Sequence, residues 1–133
     1  MKLPIVVSDD SKEPIYYQIE LQIKRLIVSG QLQAGAALPS IRALSHDLSC
    51  SVITTRRAYQ DLENKGFIET VQGKGTFVKA LGSNTQDQIK EEIVYSILKK
   101  AIEESKWMGY SLTQLRGICD KVIDDLERGD DRS

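Results

Sequence analysis

Arg56 and Arg57 stand in the run VITTRRAYQDLEN, where Thr55, Ala58, Tyr59 and Leu62 recur at i, i+3, i+4 and i+7. That period predicts a helix over about residues 52–65 with those four side chains turned inward. Ile53, Arg56, Arg57, Gln60 and Asn64 are left largely on the outer face, with Arg57 between that face and the flank. Arginines and an amide on one exposed helix face are the donors and acceptors that match phosphate oxygens and base edges. Asp61 and Glu63 lie nearby, so a solvated charged face is the competing reading. Upstream, Arg42 falls in the first turn of a shorter helical pattern, with an intramolecular ion pair to Asp47 or Glu63 as its alternative use. Downstream, Gln72-Gly73-Lys74-Gly75 sets one lysine between two glycines, where little side-chain bulk blocks close approach.

Other chemistries find no residues to carry them. The glycines do not form a nucleotide-cradling loop: position 68 is Ile where G-x-x-x-x-G-K-[ST] needs Gly, Gly75 directly follows Lys74, and a strand pattern comes next. One histidine, His46, reads as an exposed polar residue. No metal-spaced cluster and no nucleophile with a neighbouring base is present, so no catalytic residue, metal ligand or cofactor is assigned and the chain is not read as an enzyme.

The elements that must position these residues can be placed from pattern. Residues 1–13 carry a short apolar run, Ile5-Val6-Val7, that could form an edge strand or an ordered tail. Pro14 suits the first position of a helix whose apolar residues run from Ile15 to Ile27, with Gly30 as a stop. Gln31 to Ala37 reads as a linker. Ser40 is the expected N-cap of a helix with Ile41, Leu44 and Leu48 on its apolar side, and Ser51 the N-cap of the next. Lys65-Gly66 ends that helix; Phe67–Val71 and Thr76–Val78 have strand composition around the Gly-Lys-Gly tip. Helix, turn, helix and β-wing is the order of a DNA-reading device.

Beyond a hinge at Leu81-Gly82-Ser83-Asn84, Thr85 to Lys106 reads as a long helix with Ile89, Ile93, Ile97 and Ala101 on one stripe, widened by Val94, Leu98 and Ile102. Ser111 is a good N-cap for a last helix, in which Leu112, Leu115, Cys119, Val122 and Leu126 are spaced by three and four, with Ile118 and Ile123 alongside. Two helices hold no core of their own, so the surplus apolar surface is read as a dimer interface, with Ile93, Ile97, Leu112, Leu115, Cys119, Val122 and Leu126 in it. Trp107 near a helix end is read as a packing anchor. The tail from Gly129 through DDRS is expected to fray.

Composition permits this without requiring it. With 41% hydrophobic and 28% charged residues the 133-residue chain is an ordinary globular protein. No apolar run approaches the roughly 18 residues of a membrane span, and no signal-peptide pattern opens the chain, so a cytoplasmic protein is expected. Cys50 and Cys119 sit in apolar slots and are read as buried free thiols. Residues 1–80 hold ten Lys/Arg against eight Asp/Glu, and residues 81–133 eight against eleven, a mildly positive front and an acidic back.

Leu38-Pro39-Ser40 with Arg42 and Leu44, then Ser51, Thr54, Arg57-Ala58-Tyr59 and Leu62-Glu63, then Gly66 and Gly73-Lys74-Gly75-Thr76-Phe77-Val78, resemble the GntR family of bacterial winged-helix regulators. Pro14-Ile15-Tyr16, Gln18-Ile19 and Gln22-Ile23-Lys24 resemble its opening helix, so the likeness runs from about residue 13 to 79. The short remainder looks like the YtrA-like branch, which dimerises through two helices. The resemblance implies a mainly α fold with a small β-wing: a winged helix-turn-helix DNA-binding domain at 1–80 and a two-helix dimerisation region at 81–133. It implies a homodimer on an inverted-repeat operator, usually a repressor, with a transporter operon as the expected target. Carried over by position, Arg42, Ser51, Thr54 and Arg56, with Gln72, Gly73 and Lys74 of the wing, are the DNA contacts. Val52, Ile53 and Arg57 complete the expected DNA-binding set from the exposed face of the same helix. Val52 departs from the arginine common there and could touch a thymine methyl group instead. A small-molecule effector has room only between the tail helices or near Trp107 and Tyr110. The second hypothesis is a winged helix that binds protein, favoured by the apolar Val52 and Ile53.

Overall fold

The structure, a computed structural model, describes residues 2–129. The order is α1 (Ile15–Val28), β1 (Ala37–Leu38), α2 (Ile41–Leu48), α3 (Val52–Asn64), β2 (Ile68–Val71), β3 (Gly75–Val78), α4 (Ser83–Lys106) and α5 (Leu112–Glu127). The chain divides into two compact units, Met1–Lys90 and Glu91–Ser133, with α4 running through the boundary. The expected fraying of the DDRS tail lies outside the described residues.

In the first unit α1 and α2 both pack on α3, and a three-stranded antiparallel sheet of order β1-β3-β2 closes the side. Ile19 and Ile23 of α1, Leu44 of α2, Ala58 and Leu62 of α3, and Ile68 of β2 are fully buried and form the centre of the core. The helical period of α3 puts Thr55, Ala58, Tyr59 and Leu62 inside, as the spacing requires. This is the winged helix-turn-helix architecture expected from the sequence. The caps also agree: Ser40 Oγ accepts from the Ala43 amide, Ser51 Oγ from the Thr54 amide, and Ser111 forms a full capping box with Gln114.

The turn between α2 and α3 depends on one unusual residue. Ser49 takes the left-handed conformation at φ 54°, and its amide turns back to the carbonyls of Ser45 and His46. Behind the turn, the hydroxyls of Ser45 and Thr55 lie 2.8 Å apart in a buried pair. This buried contact between the hydroxyls of α2 and α3 helps hold the two helices in one register.

The first residues form no strand, yet they are not loose. Leu3 and Ile5 are buried. The Gln22 side-chain amide accepts from Val6 N at 3.0 Å and donates to Val6 O at 2.7 Å. One turn earlier, Gln18 does the same with Ser8, at 2.9 Å each way, and also donates to Glu13 O. Two glutamines at i and i+4 thus serve an extended strap as a neighbouring strand would.

Several expectations are corrected. Pro14 stands outside α1 as its N-cap, extended at ψ 151°, with its carbonyl accepting from Tyr17 and Gln18. The linker at Gln31 to Ala37 ends in a strand: Ala37 and Leu38 pair with Phe77 and Thr76 of β3, and Gly35 N reaches Val78 O at 2.8 Å. A two-residue strand has no period to read; the β3 edge imposes it. Ser83 and Asn84 belong to α4 rather than to a hinge, and Gln86 ties this first turn to Val28 O at 3.0 Å. Both cysteines are free, but Cys50 is only half-buried and Cys119 is exposed on α5. Trp107, past the end of α4, is 88% exposed, so it is not buried against the described residues as a packing anchor would be.

Candidate nucleic-acid interface

Three elements converge on one groove of the first unit. Arg42 comes from the first turn of α2, which Ser40 caps, and Arg56 and Gln60 from the outer face of α3. Thr70 and Thr76 of the wing strands complete the wall, with Tyr59 and Glu63 at its back. The Tyr59 hydroxyl donates to Pro39 O at 2.7 Å, so α3 is pinned directly to the residue that leads into α2. Burial pushes this phenol's pKa well above its ordinary value of 10.0.

The charges in this region are uncommitted. Among the described residues Arg42, Arg56 and Lys74 make no ion pair, so the pairing of Arg42 with Asp47 or Glu63 does not form. Val52 and Ile53 are exposed at the start of α3, Ile53 by 76%. Ser51 and Thr54 have their hydroxyls 2.8 Å apart at the helix N-terminus, beside amides that carry the positive end of the helix dipole. The wing turn runs through Gln72, Gly73 and Lys74; Gly73 has φ +78°, and Lys74 N closes the turn on Val71 O at 2.9 Å. A side chain at Gly73 would be strained there.

Arg57 is held differently from the rest. Its guanidinium stacks on the Tyr16 ring of α1, 3.7 Å from the ring centre. Tyr16, a partner no local pattern pointed to, therefore fixes where this charge stands. On the other flank of α3, Glu20 of α1 is buried between two lysines, with Lys65 Nζ at 2.5 Å and Lys24 Nζ at 3.4 Å. The hydrogen bond to Glu20 holds the Lys65 pKa up, whereas desolvation lowers that of Lys24.

In the second unit Ile93 and Leu115 are buried, whereas Ile97, Leu112, Cys119, Val122 and Leu126 are exposed in the single chain. Val94, Leu98, Ile118 and Ile123 are exposed as well. Among the described residues no group of His, Cys, Asp or Glu side chains could hold a metal ion. No described helix is long and apolar enough to cross a membrane.

The model of bacterial regulatory proteins of the gntR family matches residues 15–78, from α1 to the end of β3. The HTH-type transcriptional repressor YtrA of Bacillus subtilis (strain 168) is 31% identical over 125 residues, covering 94% of this chain and 96% of the relative. The chain belongs to the GntR family. It is accordingly a DNA-binding transcriptional regulator of a family that is not enzymatic. Among solved GntR-family structures, a regulator from Listeria monocytogenes superposes with a TM-score of 0.67 at 30% identity, covering 84% of this chain and 97% of that one. YtrA from Sulfolobus acidocaldarius, described as a GntR-family transcription factor, gives a TM-score of 0.55 at 38% identity over 71% of this chain and 97% of that one. The GntR match spans the elements that build the groove, and the B. subtilis relative extends the likeness across the second unit.

Proposed function

We propose that the chain is a homodimeric repressor that binds an inverted-repeat operator, with α3 in the major groove and the wing tip at 72–75 on the backbone or in the minor groove. Arg42 and Arg56, from two different helices and free of ion pairs, line a single groove bounded by the wing; this observation carries the reading. Arg56 reads base edges, Arg42 and Lys74 hold phosphates, and Ser51 and Thr54 add hydroxyl and amide contacts at the α3 N-terminus. Arg57 reaches the backbone from its stack on Tyr16, and Val52 and Ile53 offer apolar contact to thymine methyl groups.

Dimerisation runs through residues 81–133. Apolar side chains as large and numerous as Ile97, Leu112, Val122 and Leu126 do not stay uncovered in a monomer. The action is cytoplasmic and the target a transporter operon; the repressor role is supported by the B. subtilis repressor, which is similar over 94% of this chain.

The deciding experiment measures affinity of the purified protein for the inverted repeat upstream of its own gene across a salt series. DNA binding through several lysines and arginines gives a steep negative slope. A flat response with no operator complex overturns the proposal and favours the exposed Val52 and Ile53 as a protein-docking face.

A further inference from the structure

We propose that Glu63 is a positioning residue for the wing: its carboxylate holds the Thr70 amide and thereby sets the wing tip relative to α3. The inference rests on the DNA-binding reading of the wing given above. β2 is the edge of the sheet, paired with β3 on one side only. Thr70 faces Thr76 across that ladder, their hydroxyls 3.5 Å apart, and its amide donates outward to Glu63 Oε2 at 3.0 Å. The carboxylate occupies the place a further strand would take.

The base of the wing is anchored by buried Ile68 and Val78 and by the bond from Phe67 N to Leu62 O. Its distal half is not. Among the described residues no other hydrogen bond or ion pair joins α3 to residues 69–76. Glu63 therefore supplies the single polar strut between the reading helix and the part of the wing that carries Lys74.

Its charge argues the same way. Glu63 lines the groove that holds Arg42 and Arg56. A carboxylate there opposes a polyanion, so charge alone makes it unfavourable for DNA binding, and removing it should tighten the complex. A strut makes the opposite prediction. Glutamine keeps an acceptor oxygen at the same reach without the charge, which separates the two effects.

The test compares Glu63→Ala, Glu63→Gln and Lys74→Ala in the full chain, together with the Glu63→Ala/Lys74→Ala pair. Amide hydrogen exchange of Thr70 is read without DNA, and operator affinity with it. Glu63→Ala should lose Thr70 protection and bind about three- to tenfold more weakly, the net scale of one hydrogen bond. Glu63→Gln should restore both. In the Lys74→Ala background Glu63→Ala should bring a smaller further loss than in the wild type, because much of its effect runs through the tip. Equal or tighter binding by Glu63→Ala, or unchanged Thr70 exchange, overturns the inference. Failure of the wild type to bind any operator overturns the DNA reading instead, while Thr70 exchange still reports the strut.

Discussion

The guanidinium of Arg57 on α3 lies over the ring of Tyr16 on α1, 3.7 Å from its centre. The pair joins the start of α1 to the middle of α3. An arginine that looks available for DNA in the sequence is thus part of the scaffold as well.

Arg57→Ala and Tyr16→Leu should each destabilise the fold, and their effects should overlap rather than add. A coupling of about 0.5–1 kcal/mol is expected for an exposed cation–π stack. Urea denaturation of the two single variants and the double variant measures it.

Arg56→Ala should weaken operator binding by roughly 1–3 kcal/mol while relaxing sequence preference, as expected for a base-reading arginine. Lys74→Ala should weaken binding to all sequences alike and make the salt slope shallower by about one unit. If Arg42→Ala and Arg56→Ala together leave operator binding intact, the DNA face is misassigned.

Tyr59→Phe should be pH-dependent in a specific direction. The folded pKa of Tyr59 is raised by burial, so its contribution to stability is fully present below the unfolded value of 10.0 and is lost as pH rises beyond it. Loss of the bond to Pro39 should cost about 1 kcal/mol at neutral pH. The difference between wild type and variant should shrink above pH 10, because only the wild type gains an ionised phenol at this position on unfolding. Equilibrium unfolding at pH 8 and above pH 10 checks the sign.

Glu20→Ala should be far worse than Lys65→Ala. Removing the buried carboxylate takes the ion pair from the largely covered Lys24 and leaves it only the Phe67 ring 5.4 Å away, at a cost of about 1.5–3 kcal/mol for a lost bond between charged groups. Lys65 is half exposed, and Glu20 keeps Lys24 without it, so that loss should stay under about 1 kcal/mol. Thermal unfolding of the two variants distinguishes them.

Val122→Asp should lower self-association without unfolding the first unit, since Val122 is exposed in the single chain. Analytical ultracentrifugation reads the oligomeric state. Operator affinity should fall with it, because one half-site then carries the full entropic cost of docking.

What was legible in the sequence follows from how local each signal is. The inward stripe of α3 repeats over four positions, and the caps Ser40, Ser51 and Ser111 need only a hydroxyl three residues before the amide they serve. These are contacts within one turn of helix. The Arg57–Tyr16 stack, the Tyr59–Pro39 bond and the Lys65–Glu20 pair join residues 20 to 45 positions apart, and no spacing rule reaches them. β1 has no signal of its own in the sequence because its strand state comes from β3. Trp107 and Cys119 read as inward residues because large or sulfur-bearing apolar side chains usually are; in the single chain both face outward.

The strap at the N-terminus has a consequence in time. Gln18 and Gln22 offer two amides in line only when α1 is already helical, because an extended chain would carry them more than 10 Å apart. Val6 and Ser8 have nothing to pair with before then. The strap is therefore among the last segments to settle, and substitutions at Leu3 or Ile5 should speed unfolding while leaving the folding rate nearly untouched.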